Sequence, residues 1–155
     1  TEAHNRLENE FLPRALSLAE NEGKHIAFSH FAVGIILRLL SRPSEAELRF
    51  RRANDLQPGV LNTLQELVRC LGEQGRDEEA LVFSREVTAI APDDADAWSN
   101  LSVALAHCGH DEDARRAIDK AVSLDPKNRS IRDISENFDN YFGPKNRLLA
   151  YNIGN

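Results

Sequence analysis

Pro58, Pro92 and Pro126 recur at an interval of 34 residues. A period of that length points to a stack of like units. No unit can bury its apolar face alone, so its neighbours must cover it. Stacks of this kind expose a long surface and rarely enclose a catalytic cleft.

Other residues fall into line with the prolines. Ala46, Ala80 and Ala114 precede them by 12 residues, and Phe50, Ser84 and Ile118 follow those alanines by four. Ala53, Val87 and Ala121 stand five residues before each proline. In the front half of each unit, Val33-Gly34, Leu67-Val68 and Leu101-Ser102 coincide, followed by Leu37, Leu71 and Leu105. Apolar residues at intervals of three and four in each half predict two amphipathic helices per unit. The small residues Gly34, Ser102, Ala46, Ala80 and Ala114 belong where two helices approach closely, and larger side chains there would overpack. Each proline ends a second helix, because its ring lacks the donor and clashes with the preceding turn.

This pattern resembles the tetratricopeptide repeat, W-x2-L-G-x2-Y, then A-x3-F, then P. The last unit carries it best, in Trp98, Leu101, Ser102, Leu105, Ala114, Ile118, Ala121 and Pro126. Ser84 departs from the usual large residue, and Val68 from the usual small one. The resemblance implies an all-α fold, a right-handed α-solenoid of helix-turn-helix repeats with a C-terminal capping helix. The expected organisation is one domain over residues 1–142. It comprises a partial unit at 1–26, repeats at 27–60, 61–94 and 95–128, and a capping helix at 129–142; a tail occupies 143–155. Trp98 is expected to be buried.

Helix ends can be read as well. Ser44 with Glu47 suggests a capping box. Asp77 and Asp111 suggest caps of second helices, after Gly75 and Gly109 close the first ones. A helix over about residues 5–22 should open the chain, with Pro13 kinking it or marking its start. Ile131, Ile134, Phe138 and Phe142 predict one helical stripe covering the last unit.

The formal net charge of −6 argues against nucleic acid or an anionic membrane surface as partner. No apolar run approaches the ~18 residues of a membrane span. The chain starts at Thr1 and contains no methionine, which suggests a mature or excised piece. Cys70 and Cys108 sit at offset places in successive first helices, so a disulfide is not expected, and the compartment stays open.

Chemistry finds little support. His107, Cys108 and His110 suggest a metal, but Gly109 and Asp111 fit an inter-helix turn better, and no second ligand pair follows. Asp93, Asp94 and Asp96 lack the glycine and distant glutamate of a calcium loop and read as caps. Arg38, Arg42, Arg49, Arg51 and Arg52 form a basic patch, read as a solvated face without stacking aromatics. Neither a catalytic triad nor a phosphate loop is legible, so no enzyme activity, cofactor or metal is expected.

In the family, first helices line a concave groove. Carried over, the first wall is Phe28, Phe31, Ile35 and Leu39. The second is Asn62, Gln65, Arg69 and Glu73, and the third is Asp96, Ser99, Asn100, Val103 and His107. Asp133, Asn137 and Tyr141 would follow from the capping helix. In the places of the carboxylate clamp of chaperone adaptors stand Phe31 and Ile35, then Glu66, then Asp96 and Asn100; one unit later they are Gln65 and Arg69, then Asn100, then Ser130 and Ile134, and only Asn100 matches. An asparagine ladder is likewise missing. The apolar first wall is either covered by a preceding helix or open to a partner.

The leading expectation is a protein-interaction scaffold holding a partner peptide or amphipathic helix. Phe28, Phe31, Ile35 and Leu39 would make apolar contacts, and Arg69 and Asn100 polar ones. The alternatives are a recruiting arm of a larger enzyme, or an assembly module self-associating through the apolar first repeat or the tail. Leu148, Leu149, Tyr151 and Ile153 of the tail are an in-house candidate for the groove.

Overall fold

The computed structural model describes residues 1–143, and every regular element among them is a helix. The chain divides into two compact units, Thr1–Glu86 and Val87–Asn155. The tail residues Leu148, Leu149, Tyr151 and Ile153 lie outside the described part.

The first unit opens with α1 (Glu2–Arg6), a π turn (Leu7–Phe11) and α2 (Leu12–Glu20). Pro13 accounts for the π turn. It has no N–H to offer one turn back, and the Leu12 N–H reaches five residues back to the Leu7 carbonyl. Next come α3 (Ala27–Leu39), α4 (Pro43–Leu56), α5 (Leu61–Glu73) and most of α6 (Asp77–Ile90). The second unit holds the end of α6, α7 (Ala95–His107), α8 (Asp111–Leu124), α9 (Arg129–Glu136) and α10 (Phe138–Phe142).

The period is visible in the turns. α4, α6 and α8 stop at Leu56, Ile90 and Leu124, each two residues before its proline. Between the helices of each pair, one residue is left-handed: Ser41 (φ 57°), Gly75 (φ 67°) and Gly109 (φ 81°), again 34 apart. All three turns make the same two bonds. The left-handed N–H reaches three residues back, to Arg38, Gly72 or Ala106, and the next N–H reaches Leu37, Leu71 or Leu105. This Schellman closure turns the chain back within a few residues and forces the second helix to lie antiparallel on the first.

Small residues set how closely the helices pack. A Cβ added to Gly34 on α3 would lie 2.5 Å from the ring of Phe50 on α4. Phe50, Ala46 and Ala53 are buried together on α4. Leu12, Ala19, Val33, Leu37, Leu40, Leu67 and Cys70 join Phe50 and Ala46 in one core. Burying a ring such as Phe50 is worth about 1.5–3 kcal/mol. In the second unit, Ala114, Ile118 and Ala121 on α8 are fully buried, as is Ser102 on α7. The Ser102 hydroxyl donates to the Ser99 carbonyl at 2.9 Å, which satisfies it without water.

Several local expectations need correction. Ser44 and Glu47 form no capping box. Pro43 starts α4, Arg42 stands at the cap position without a side-chain bond, and the Ser44 hydroxyl donates to Gln74. Asp111 is the first residue of α8 and His110 holds the cap position; Asp77 likewise lies in the first turn of α6. Their charge there still complements the helix dipole. Asp94 does cap α7, accepting from the N–H groups of Asp96 and Ala97. Trp98 is only half-buried, because its indole N–H reaches out to the Pro92 carbonyl at 2.8 Å. The stripe after residue 128 is two helices, broken at Asn137, whose side chain turns back onto Asp133.

Most of the basic patch is paired. Arg42 pairs with Glu45, Arg49 with Glu20 (2.7 Å) and Arg38 with Glu66 (2.7 Å). Buried Glu47 takes Arg51 at 2.7 Å, Arg76 at 2.5 Å and the Gln74 amide at 2.9 Å. Arg51 and Arg76 also share Glu79. Burial pushes the Glu47 carboxyl up, but bonds from Arg51 and Gln74 and the charges of Arg51 and Arg76 outweigh it. The net position lies below the ordinary carboxylate value.

Two predictions follow from the turns and the network. Replacing Ser41 by Gly removes a left-handed non-glycine residue and should stabilise the first unit by about 1 kcal/mol, read from the denaturant midpoint. Glu47→Gln should cost about 2 kcal/mol at neutral pH. Because Glu47 titrates lower folded than unfolded, its contribution is complete above the unfolded carboxylate value. It disappears as pH falls through the folded value. Melting curves of wild type and Glu47→Gln should therefore converge on acidification.

Candidate functional site

α3 carries the apolar wall. It begins after the extended residue Ile26 and ends at Leu40, before the left-handed Ser41. Phe28, Phe31, Ile35 and Leu39 follow intervals of three, four and four, so they form one ridge along the helix. Phe31 and Ile35 are half-buried against the core, and the Phe31 ring meets Phe50 with centroids 5.6 Å apart. Phe28 and Leu39, at the two ends, are 74% and 52% exposed. The wall is thus anchored in the middle and open at both ends.

Beside Phe28 lies a hollow of about 150 Å³, lined by Ala27, Phe28 and Phe31 of α3, Gln57 and Val60 of the turn after α4, and Asn62 and Thr63 of α5. None of these side chains is ionisable. It can accept an apolar side chain, with two amide groups at its rim. Gln57, Val60 and Thr63 were not singled out in the sequence. They join the hollow only because the proline turn brings α5 back beside α3.

Charge gathers at the other end of the ridge. Arg38 Nε lies 2.7 Å from Glu66 Oε2, an ion pair whose angle falls outside hydrogen-bond geometry. The exposed Arg69 reaches the same oxygen at 3.9 Å. Two cations therefore share one carboxylate. Arg69 and the ridge belong to the first unit, whereas Asn100 is exposed on α7 in the second. Of the third wall, Ser99 is buried and so is not presented to a ligand.

The second unit has its own hollow, about 410 Å³, lined by Asp111, Glu112, Arg115, Arg116, Phe138, Asp139, Phe142 and Gly143. The sequence assigned Phe138 and Phe142 to core and missed it. Arg115 is spoken for there, stacking 4.5 Å over Phe138 and pairing with Asp139 at 2.5 Å. Nearby, Tyr141 donates to Asp133 at 2.8 Å, a bond that pushes its phenol up from the ordinary value.

His107, Cys108 and His110 flank the Gly109 turn, and the His107 ring meets the Phe142 ring at 5.6 Å. Among the described residues, no group of three or more His, Cys, Asp or Glu side chains is arranged to hold a metal ion. Neither Cys70 nor Cys108 is in a disulfide, and burial with nearby Glu73 and Glu66 pushes Cys70 up to about 11. No helix among the described residues is long and apolar enough to cross a membrane. A thiol reagent should therefore label Cys108 of the folded protein well before Cys70, as peptide mapping of the modified chain would show.

Comparison with known proteins agrees with this geometry. The family described as tetratricopeptide repeat matches residues 95–128. No curated protein matches the chain. Among solved structures, a double mutant of MamA RS-1 is 25% identical with a TM-score of 0.78, over 83% of this chain and 71% of that one. YrrB, described as a repeat protein with an unusual peptide-binding site, is 26% identical with a TM-score of 0.66, over 71% of this chain and 57% of its own. The first repeat domain of Spaghetti (RPAP3), solved with the HSP90 peptide SRMEEVD, is 14% identical with a TM-score of 0.68, over 74% and 91%. The last likeness speaks to the fold alone. With the 34-residue period, the repeated turns and these likenesses together, the fold class is the all-α solenoid of helix-turn-helix units, and residues 95–128 match the tetratricopeptide repeat.

Proposed function

We propose that this protein is an interaction scaffold that holds a partner peptide or helix against the α3 ridge. One observation carries the reading: Phe28 stands 74% exposed at the mouth of an uncharged hollow that the neighbouring turn and α5 complete. Large aromatic side chains left in water beside a pocket are typical anchors of protein recognition. Phe31, Ile35 and Leu39 extend the contact, and Arg69 supplies a polar one; Asn100, on the second unit, is proposed as a polar contact in its own right. YrrB, a solved structure described with an unusual peptide-binding site, supports the same use of the fold.

Binding, rather than catalysis, is the role inferred. The formal net charge of −6 favours a polypeptide over nucleic acid as partner.

The test is affinity capture from the native source with wild type and Phe28→Asp, followed by mass spectrometry. Phe28 is exposed in the first turn of α3, where an aspartate suits the helix dipole, so the variant should keep its circular dichroism and melting temperature. A partner retained by wild type should be depleted about tenfold or more by the variant. An unchanged partner set would contradict the proposal. The peptide SRMEEVD should bind weakly or not at all, since Phe31, Ile35 and the carboxylate Glu66 stand where the clamp needs donors. Tight binding by titration calorimetry would show that reading of the ridge to be wrong.

A further inference from the structure

We infer that the occupant of the ridge is an amphipathic helix with an acidic flank, not an extended peptide; this rests on the scaffold reading above. Hydrogen bonding decides between the two shapes. An extended peptide leaves its backbone N–H and C=O groups to be satisfied by the surface it lies on. The ridge offers it nothing: Phe28, Phe31, Ile35 and Leu39 carry no donor or acceptor. The polar side chains of α3 are already placed elsewhere. His30 is buried with Nε2 3.2 Å from the Lys24 carbonyl, Arg38 is held by Glu66, and Ser29 is half-buried. A helix brings its backbone bonds with it and needs only an apolar stripe from its host.

The dimensions agree. Phe28 and Leu39 are eleven residues apart on α3, about 16 Å along its axis. A partner helix laid along α3 spans the same distance in three turns, with apolar residues repeating at three and four. The hollow by Phe28, at about 150 Å³, takes one aliphatic side chain from that stripe. Gln57 and Asn62, which also line it, can bond unpaired backbone groups of a partner's terminal turn.

Charge selects the flank. Arg38 and Arg69 share the carboxylate of Glu66, and Glu73 lies one turn beyond Arg69 on α5; of the two cations, Arg69 is the exposed one. Arg69 is exposed and only 3.9 Å from its partner oxygen, so it can turn to a carboxylate on a docked helix. A basic flank would meet like charge there.

The experiment uses fluorescently labelled synthetic peptides of about 15 residues. The first has leucines at the first, fourth, eighth and twelfth positions and glutamates along one flank. The second places a proline in its centre, and the third exchanges the glutamates for lysines. The fourth scrambles the order. Anisotropy titration of the whole chain should show binding by the first peptide, a loss of about tenfold or more with the proline or the scramble, and a several-fold loss with lysine. Arg69→Glu should reverse the preference between the acidic and basic flanks. Equal binding of the proline peptide, still abolished by Phe28→Asp, overturns the helical occupant and leaves the scaffold reading standing. Failure of every peptide to bind also overturns the helical occupant, while the capture experiment decides the scaffold separately. Equal binding of the acidic and basic peptides overturns the acidic flank.

Discussion

The approach of α4 to α3 governs the first unit. Phe50 is fully buried and presses into the space left by the missing side chain of Gly34, with no room for even a methyl group. The short Schellman turn through Ser41 brings the two helices together, and the glycine lets the ring seat. Once seated, Phe50 becomes the floor under Phe31. The middle of the ridge is therefore rigid, held by the core, while Phe28 and Leu39 remain free at its ends. The same packing that stabilises the pair thus positions the surface proposed to bind a partner.

Electrostatics then separates structural charge from charge left for recognition. Much of the arginine of α4 is committed: Arg49 to Glu20, and Arg51, with Arg76, to Glu47 and Glu79. Such pairs hold the hairpins in register and take up most of the basic patch suggested by the sequence. Beside the ridge Arg69 is exposed and only loosely paired, 3.9 Å from the Glu66 carboxylate that Arg38 already holds. A modest local cation on an acidic protein gives orientation to a mainly apolar contact, and salt would screen it where it is exposed.

Much of the fold was legible because a period multiplies weak signals. Each proline alone marks a turn, but three at 34 residues, with alanines and leucines in step, specify hairpins of helices. Details that depend on competition between neighbours were less legible. Pro43 outranks Ser44 as the start of α4, and Glu47 turns to Arg51, Arg76 and Gln74 instead of its own helix end. Asn137 breaks what periodicity alone reads as one helix. The ridge residues were readable by type and spacing. Their unequal exposure was not, since it depends on which distant side chains reach them. Nor was the contribution of Gln57, Val60 and Thr63, which comes only with the return of the chain through Pro58 and Gly59.

The direct test of the account is a double-mutant cycle between Gly34→Ala and Phe50→Leu, with stability read from denaturant unfolding. If the seating of the Phe50 ring against Gly34 governs the hairpin, the methyl group should be costly opposite Phe50 and much cheaper opposite the smaller leucine. The coupling would then be about 1 kcal/mol or more. Effects that simply add, within about 0.3–0.5 kcal/mol, would contradict it.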